Sequence, residues 1–248
     1  MKEWITGRNP VLEALQAQRR QFFKLLIASG VDEKGRIFEI LRIASLRRVP
    51  VERVSRERID RMGENPQGVA LEVSEFPYVD LADILDHAET SGEDLFVLVL
   101  DLIQNPQNLG TLLRTAEAAG VHGVVLPQHR AAGITPAVVT ASAGASEHML
   151  VTQLNINRAI DQLKQAGAWV VGLAGEQNES ARVDVPFNGP IAIVVGNEGE
   201  GIRPLVQKSC DFILSLPMRG KIESLNAAVA GSIVLYQAMM ARQKAKEN

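Results

Sequence analysis

The sequence predicts an α/β protein in which a small mixed unit precedes a larger domain built on a parallel sheet. From Leu95 onward, continuous apolar runs alternate with helical patterns, as in parallel sheets whose two faces are covered by helices. Three turns rich in glycine, asparagine or proline each follow such a run. Ligands of parallel α/β sheets bind at the carboxyl ends of strands, so we expect these turns to form one composite site.

Residues 1–75 are predicted to form the small unit. Asn9-Pro10 opens an amphipathic helix, because proline is tolerated in a first helical turn. A second helix is predicted at 37–46, and strands at 22–28, 49–54 and 67–73. The acidic stretch 76–93 is interpreted as a connector, although its apolar Leu81, Ile84 and Leu85 leave open that it begins the second domain.

Residues 94–248 are predicted to form the larger domain. Its strands are expected at 95–100, 123–126, 169–173, 191–195 and 212–216. Its helices are expected at 109–119, 136–143, 157–166 and 226–240. The last helix begins with small residues, and its apolar Val229, Ile233, Val234 and Tyr236 suit either the core or a dimer surface.

The composition is that of an ordinary globular protein, with 46% hydrophobic and 22% charged residues. No apolar run approaches the roughly 18 residues that span a bilayer, and the first residues lack a signal-peptide pattern. We therefore expect a cytoplasmic protein without membrane contact. The single cysteine, Cys210, excludes an internal disulfide framework and a cysteine-clustered metal site, and no metal is expected.

Basic residues are concentrated in the small unit. Although the formal net charge of the chain is −3, residues 1–75 hold 14 Lys and Arg against 11 Asp and Glu. Residues 42–61 alone contain seven arginines. Arginine donates paired hydrogen bonds to phosphate. The candidates for phosphate contact are Arg47, Arg48, Arg53 and Arg56, and a solvated helical face is the alternative.

The first turn reads Asn105-Pro-Gln-Asn108-Leu-Gly110, with Arg114 four residues beyond the glycine. Gly110 and Arg114 therefore share one helix face close to a helix N-terminus, where backbone N–H groups attract anions. A capped helix with a surface arginine is the alternative interpretation.

The second turn reads Gly196-Asn-Glu198-Gly-Glu-Gly201. It lacks the Lys-Ser/Thr of a P-loop, and the Gly-x-Gly-x-x-Gly spacing of a dinucleotide-binding fold is missing too, which argues against a dehydrogenase. Its two glutamates repel phosphate and suit a positively charged ligand. The third turn, Leu216-Pro-Met218, leads to Ser224-Leu-Asn226, where Ser224 is a plausible cap of the next helix.

Taken in order, these turns resemble the signature motifs of the SpoU (TrmH) family of RNA ribose 2′-O-methyltransferases. The resemblance covers 95–242 and departs from the usual first motif only in having Asn105 where the family has aspartate. If that aspartate only caps the helix, asparagine replaces it equally well; if it holds an arginine, the change matters. The segments Gly7-Arg-Asn-Pro-Val-Leu-Glu-Ala-Leu15 and Gln67-Gly-Val69 also resemble the small L30e-like RNA-binding domain of the subgroup that methylates a guanosine of 23S rRNA.

The resemblance implies a deep trefoil knot in the C-terminal domain, a homodimer through that domain, and S-adenosylmethionine as cofactor. The implied cofactor-binding residues are Gly196, Leu216 and Leu225 at the adenosyl group, with Val195, Gly201, Ile202 and Met218 nearby. The implied catalytic residues are Arg114, Asn108, Glu198, Ser224 and Asn226. The acidic second turn agrees with the positive sulfonium of this cofactor.

The resemblance implies methylation of a guanosine in 23S rRNA, with Arg47, Arg48, Arg53 and Arg56 contacting RNA. Three alternatives stay open: a tRNA ribose methyltransferase, a resistance-type rRNA methyltransferase, and a non-catalytic RNA-binding or ribosome-assembly protein. The small unit argues against tRNA, because tRNA-specific relatives use short helical extensions instead. The joint presence of Arg114, Glu198, Ser224 and Asn226 argues against loss of catalysis.

Overall fold

The computed structural model describes residues 2–129, 131–175, 181–182, 185–197, 199, 201–222 and 224–247. The chain forms two compact units: Met1–Pro77 with Ile134–His148, and Tyr78–Gly133 with Met149–Asn248. Within the described ranges, no helix combines the length and the apolar character that a bilayer span requires.

The first unit is built on a four-stranded sheet in the order β1-β4-β2-β3. Its strands are β1 (Lys2–Thr6), β2 (Phe22–Ala28), β3 (Val51–Val54) and β4 (Val69–Ser74). Its helices are α1 (Arg8–Ala17), α2 (Arg36–Leu46), α3 (Arg56–Asp60) and α6 (Pro136–Ala141), followed by a 3₁₀ turn at Ala145–His148. Strands β2 and β3 are parallel, and the other pairs are antiparallel.

A buried ion pair binds the segment Ile134–His148 to the rest of the first unit. The side chain of Arg20 is fully buried and donates two hydrogen bonds of 2.8 Å to Glu147, which is itself 1% exposed. A further nitrogen of Arg20 lies 2.7 Å from Glu3. Separating such a pair would leave an uncompensated buried charge, so the pair holds this segment in the first unit.

The second unit is built on a seven-stranded sheet in the order β7-β6-β5-β10-β8-β11-β9, and every pair is parallel. The strands are β5 (Phe96–Asp101), β6 (Gly123–Leu126), β7 (Val151–Gln153), β8 (Trp169–Leu173), β9 (Ala181–Arg182), β10 (Ile191–Gly196) and β11 (Phe212–Leu214). The helices are α4 (Leu81–Ser91), α5 (Pro106–Ala118), α7 (Ile156–Gln165), α8 (Pro204–Ser209) and α9 (Ala227–Glu247).

Helix α4 occupies the stretch interpreted as a connector. Its Leu81, Ile84 and Ala88 are buried in a core that includes Val97 of β5 and Ile160 of α7. This apolar stripe follows the helical period and faces the parallel sheet. Helix α4 therefore opens the second unit, which is the alternative that its apolar positions had left open.

Candidate active site at the carboxyl edge of the sheet

The three motif turns lie at one edge of the seven-stranded sheet. Strand β5 ends at Asp101, β10 ends at Gly196 and β11 ends at Leu214. In the parallel pair of β5 and β10, Asp101 lies opposite Gly196, so the first and second turns leave the sheet side by side. This carboxyl edge is where ligands bind in open parallel sheets.

The first turn is fixed by Asn105, which caps helix α5. Its side chain accepts a hydrogen bond of 2.8 Å from the backbone N–H of Gln107, and Pro106 takes the first helical position. Asparagine performs this capping role as well as aspartate does. The departure from the family motif is therefore neutral with respect to the cap.

The third turn joins the first through Asn226. Its Oδ1 accepts from the N–H groups of Ala228 at 2.9 Å and Val229 at 3.2 Å, so Asn226 caps helix α9. Its Nδ2 donates to Oδ1 of Asn108, on the first turn of α5, at 3.2 Å. The interpretation of Ser224 as the cap is wrong: Ser224 lies before the cap position and is exposed.

Close packing of helix α9 holds the first and third turns together. A Cβ added at Gly231 of α9 would lie 2.6 Å from Leu112 of α5 and 3.1 Å from Val195 of β10. The hydroxyls of Thr115 and Ser232 are also in hydrogen-bond contact at 2.9 Å. A side chain at this position would force Leu112 to shift, so glycine allows the two helices to pack this closely. The Asn108–Asn226 contact is therefore set by the helices behind it.

The second turn is a tight loop between Asn197 and Gly201, whose backbones exchange two hydrogen bonds of 3.1 Å. Gly196 must be glycine, because an added Cβ would lie 2.1 Å from the carbonyl carbon of Gly201. Gly201 has a φ of +67°, in the region that favours glycine. The predicted catalytic residue Glu198 lies outside the described residues.

Asp101 is a site residue that the sequence analysis did not single out. It is fully buried, and its two oxygens accept hydrogen bonds from the backbone N–H of Arg203 at 2.9 Å and from its Nε at 2.8 Å, while Nη2 of Arg203 forms an ion pair with Oδ1 at 2.7 Å. Arg203 directly follows the second turn and precedes helix α8. Its position directly after an apolar strand run is the sequence feature that could have marked Asp101 as a site residue.

The predicted cofactor residues divide into two groups by exposure. Val195 and Ile202 are 2% and 6% exposed and pack into the core, so they can reach a ligand only through their backbone. Leu216, Met218 and Leu225 are half-buried, as is Gly201, and they present apolar surface at the carboxyl edge. Apolar side chains beside loop backbone groups suit a flat adenosyl group, so these residues fit the cofactor that the motifs imply.

Arg114 presents its side chain to solvent, two helical turns after the start of α5. Within the described part of the chain, its guanidinium has no hydrogen-bond or ion-pair partner. A charged fork without a protein partner can bind an anion such as an RNA phosphate.

The four arginines proposed for RNA contact do not form one uniform patch. Arg47 and Arg48 are exposed between helix α2 and strand β3. Arg53 in β3 pairs with Glu33, and Arg56 in α3 lies 3.8 Å from Asp60. The positive charge of the second pair is therefore partly neutralised, and Arg47 and Arg48 are the stronger candidates.

The architecture defines a class of protein: a parallel α/β domain with a ligand site at its carboxyl edge, joined to a small α/β unit. Residues 95–236 match the model of the SpoU rRNA methylase family, and residues 4–79 match the model of the RNA 2′-O ribose methyltransferase substrate-binding domain. The chain belongs to the SpoU family. The predicted family and fold class are confirmed.

Relatives and solved structures agree with this assignment. A Bacillus subtilis protein named as a putative TrmH family tRNA/rRNA methyltransferase, YacO, is 38% identical and covers 99% of this chain and 98% of its own length. The SpoU methyltransferase AviRb from Streptomyces viridochromogenes, solved with AdoMet, has a TM-score of 0.81 at 25% identity and covers 98% of this chain and 91% of its own. The A. aeolicus TrmH/SpoU tRNA modifying enzyme has a TM-score of 0.54 at 27% identity and covers 62% of this chain and 77% of its own.

Proposed function

We propose that this protein transfers a methyl group from S-adenosylmethionine to a ribose 2′-hydroxyl of RNA, most specifically to a guanosine of 23S rRNA in the cytoplasm. The observation that carries the proposal is the hydrogen bond between Asn226 and Asn108, which joins the third motif turn to helix α5 with its exposed Arg114, in a chain that belongs to the SpoU family. The RNA methyltransferase class follows from the family, and the 2′-hydroxyl and the guanosine target are the proposal.

The proposed cofactor site combines loop backbone with half-buried apolar side chains. Bound S-adenosylmethionine supplies a methyl group carried on a positively charged sulfur. Gly196, Leu216 and Leu225 hold the adenosyl group, and the neighbouring contacts come from Val195, Gly201, Ile202 and Met218. The acidic second turn, through Glu198, favours the positive charge.

Arg114 is the proposed main catalytic residue. Arginine keeps its proton in proteins, so Arg114 does not act as a general base. Its guanidinium binds the phosphate beside the target ribose and stabilises the negative charge that develops on the 2′-oxygen. The hydroxyl proton passes to water as the 2′-oxygen bonds to the methyl carbon, whose bond to sulfur breaks. Asn108 and Asn226 orient the substrate beside it, Ser224 donates a hydrogen bond to the target nucleotide, and Glu198 positions the amide or guanidinium groups.

A second copy of the chain is the proposed partner of helix α9. This helix exposes Val229, Ile233, Tyr236 and Met240, which are 46%, 38%, 44% and 53% exposed. Their spacing places them on one stripe of the helix. Burial of this stripe in a homodimer removes apolar surface from water. Ile233→Glu should yield a monomer in light scattering, while Lys208→Glu, a charge change at an exposed position of helix α8, should leave the dimer intact.

We propose that the small unit makes the enzyme select rRNA over tRNA. It matches the model of an RNA 2′-O ribose methyltransferase substrate-binding domain. The tRNA modifying enzyme from A. aeolicus covers only 62%. Exposed Arg47 and Arg48 then contact RNA phosphates, with weaker contributions from Arg53 and Arg56.

The decisive experiment measures methyl transfer from radiolabelled S-adenosylmethionine to purified 23S rRNA, 16S rRNA and bulk tRNA, with identification of the modified nucleoside by mass spectrometry. We expect 2′-O-methylguanosine in 23S rRNA and no product with Arg114→Ala. Label in tRNA would support ribose methylation but would show that the proposed 23S rRNA target is wrong. Absence of transfer and of cofactor binding would favour a non-catalytic RNA-binding protein.

A further inference from the structure

A groove of about 1070 Å³ lies in the second unit, at the carboxyl ends of strands β6 and β7. One wall is formed by the start of helix α4 and the other by helix α7. Its most distinctive feature is a set of four glutamine side chains: Gln128, Gln153, Gln162 and Gln165. None of these residues belongs to the three motif turns.

Helix α7 presents a polar stripe to this groove. Arg158, Gln162 and Gln165 are spaced by four and three residues, so they share the helix face opposite the buried Ala159, Ile160 and Leu163. The loop after β6 contributes Gln128, whose amide lies 3.5 Å from the backbone oxygen of Gln153 in β7.

The opposite wall carries an aromatic ring and two carboxylates. Tyr78 is 37% exposed, and its hydroxyl would lie 3.0 Å from a Cβ added at Gly133. Asp80 and Asp83 form the capping box of helix α4, in which Asp83 accepts a hydrogen bond of 2.8 Å from the N–H of Asp80. The positive charge in the lining comes from Arg158.

The groove borders strands β6 and β7, which are the neighbours of β5 in the sheet. In the sheet order, β7 and β6 directly precede β5, whose end leads to Asn108 and Arg114. Neighbouring strands are about 4.8 Å apart, so β7 lies about 10 Å from β5 along the edge. Helices α4 and α7 pack against the sheet face that carries Val194, whereas α5 and α9 pack against the opposite face, at Val195. An RNA strand that contacts both Arg114 and the groove therefore crosses the carboxyl edge and spans several nucleotides.

The lining chemistry favours nucleobases over phosphates. A glutamine amide carries both donors and an acceptor and pairs with base edges, and a carboxylate accepts from exocyclic amino groups. A tyrosine ring provides a surface on which a base can stack. Two carboxylates against one guanidinium would repel a phosphate backbone.

We infer that this groove holds unpaired bases of the RNA substrate a few nucleotides away from the methylated one, with Gln153 and Gln162 contacting base edges. The inference rests on the proposed RNA methyltransferase function. It assigns part of the sequence selectivity of the enzyme to the catalytic unit.

The test uses the full-length double variant Gln153→Ala/Gln162→Ala, with Gln16→Ala, an exposed glutamine of helix α1, as the matched control. We expect the KM for the RNA that the wild-type protein methylates to rise about tenfold. We expect kcat, the affinity for S-adenosylmethionine and the thermal midpoint to stay unchanged, since these side chains lie outside the motif turns. The control variant should behave as wild type.

The dependence of KM on salt separates base contacts from phosphate contacts. Because uncharged side chains release no counterions, the slope of log KM against log salt should be the same in the double variant and in the wild type. A reduced slope would overturn the inference in favour of a phosphate path. An unchanged KM would overturn the inference outright. A rise in KM seen only with ribosomal particles and not with naked RNA would also overturn it, because it would indicate that the groove contacts a protein.

Failure of the proposed function is distinguishable from failure of this inference. If the wild-type protein methylates no RNA, fluorescence anisotropy with homopolymeric RNA oligonucleotides of A, C or U tests the groove directly. Weaker binding by the double variant than by Gln16→Ala would support a base-binding groove even in a protein that methylates no RNA. Equal binding by both variants would overturn it.

Discussion

The two edges of the seven-stranded sheet differ in how many of their polar side chains are left available to a ligand. At the amino edge, Arg242 donates hydrogen bonds to the backbone oxygens of Gly189 and Asp94 and lies over the ring of Phe96, 5.1 Å from its centroid. Also at this edge, the carboxylate of Asp211 accepts from Lys164 at 2.7 Å and from the N–H of Val170 at 2.9 Å.

At the carboxyl edge, by contrast, the side chains of Arg114 and Ser224 are exposed. Buried and half-buried polar groups that are fully hydrogen-bonded stabilise a fold, whereas polar groups left available at a strand end can bind a ligand. The polar groups of the amino edge thus serve stability, whereas the carboxyl edge combines structural pairs such as Asp101–Arg203 with groups that are available for binding. Substitutions at the amino edge should therefore change stability alone, and those at the carboxyl edge should change binding or catalysis, with or without a change in stability.

The largest effect is expected at the carboxyl edge from Arg114→Ala, which should lower kcat about 10²- to 10³-fold, as for removal of one preorganised transition-state donor. Arg114→Lys should recover little, because an ammonium lacks the planar fork. Neither change should alter the thermal midpoint, since the side chain is exposed. A lysine variant with wild-type kcat at unchanged stability would refute the bidentate role.

Asp101→Asn should affect both binding and stability, because this buried carboxylate holds Arg203 behind the second turn. We expect about 1–3 kcal/mol lower free energy of unfolding. The dissociation constant for S-adenosylmethionine, measured by calorimetry, should rise about tenfold as the turn loosens. Arg203→Gln should reproduce the weaker binding, and unchanged affinity in both variants would show that the pair is only structural.

Asn226 allows the capping role and the site role to be separated. Asn226→Ala should cost about 1 kcal/mol of stability by removing the cap of helix α9. Asn226→Ser keeps a capping oxygen but removes the amide that donates to Asn108, so its stability should match wild type while kcat falls. Full activity in the serine variant would mean that the Asn108 contact does not serve catalysis.

At the amino edge, Arg242→Ala should lower the free energy of unfolding by about 1–2 kcal/mol. Two backbone carbonyls lose their hydrogen-bond donor, and the ring of Phe96 loses the packing contact with the guanidinium. Methyl transfer should be unaffected at a temperature where the variant is folded. Denaturant titration would measure the change, with the exposed Arg36→Ala as a neutral control. A loss of activity without a loss of stability would contradict the division between the edges.

The smallest effect is expected from His122, also at the amino edge, where its Nδ1 accepts from the N–H of Phe96 at 3.0 Å. Burial, followed by the nearby His87, lowers the pKa of His122 below its usual value, so the folded state favours the neutral ring. The unfolded state takes up the proton first as pH falls below about 6.5. Stability should therefore decline in that range more steeply in wild type than in His122→Asn, as measured by denaturant titration against pH.

Much of the second unit could be predicted because its signals are local. Strands β5, β6, β8, β10 and β11 coincide with apolar runs, and helix α5 overlaps the helix expected at 109–119, although it begins three residues earlier, at Pro106. The short strands β1, β7 and β9 were not predicted, because their few residues have no clear period of their own and are defined by the neighbour with which they pair.

The sequence by itself determined the fold class, the family and the positions of the three motif turns, because apolar periodicity and glycine-bearing turns depend on residues close together along the chain. Only the tertiary structure decided that Ile134–His148 joins the first unit, through a contact between Arg20 and Glu147 across 127 positions. The same holds for the Asp101–Arg203 and Asn108–Asn226 contacts, which span 102 and 118 positions. The sequence does not predict such contacts, because their residues are far apart along the chain and are brought within hydrogen-bond distance only by the fold.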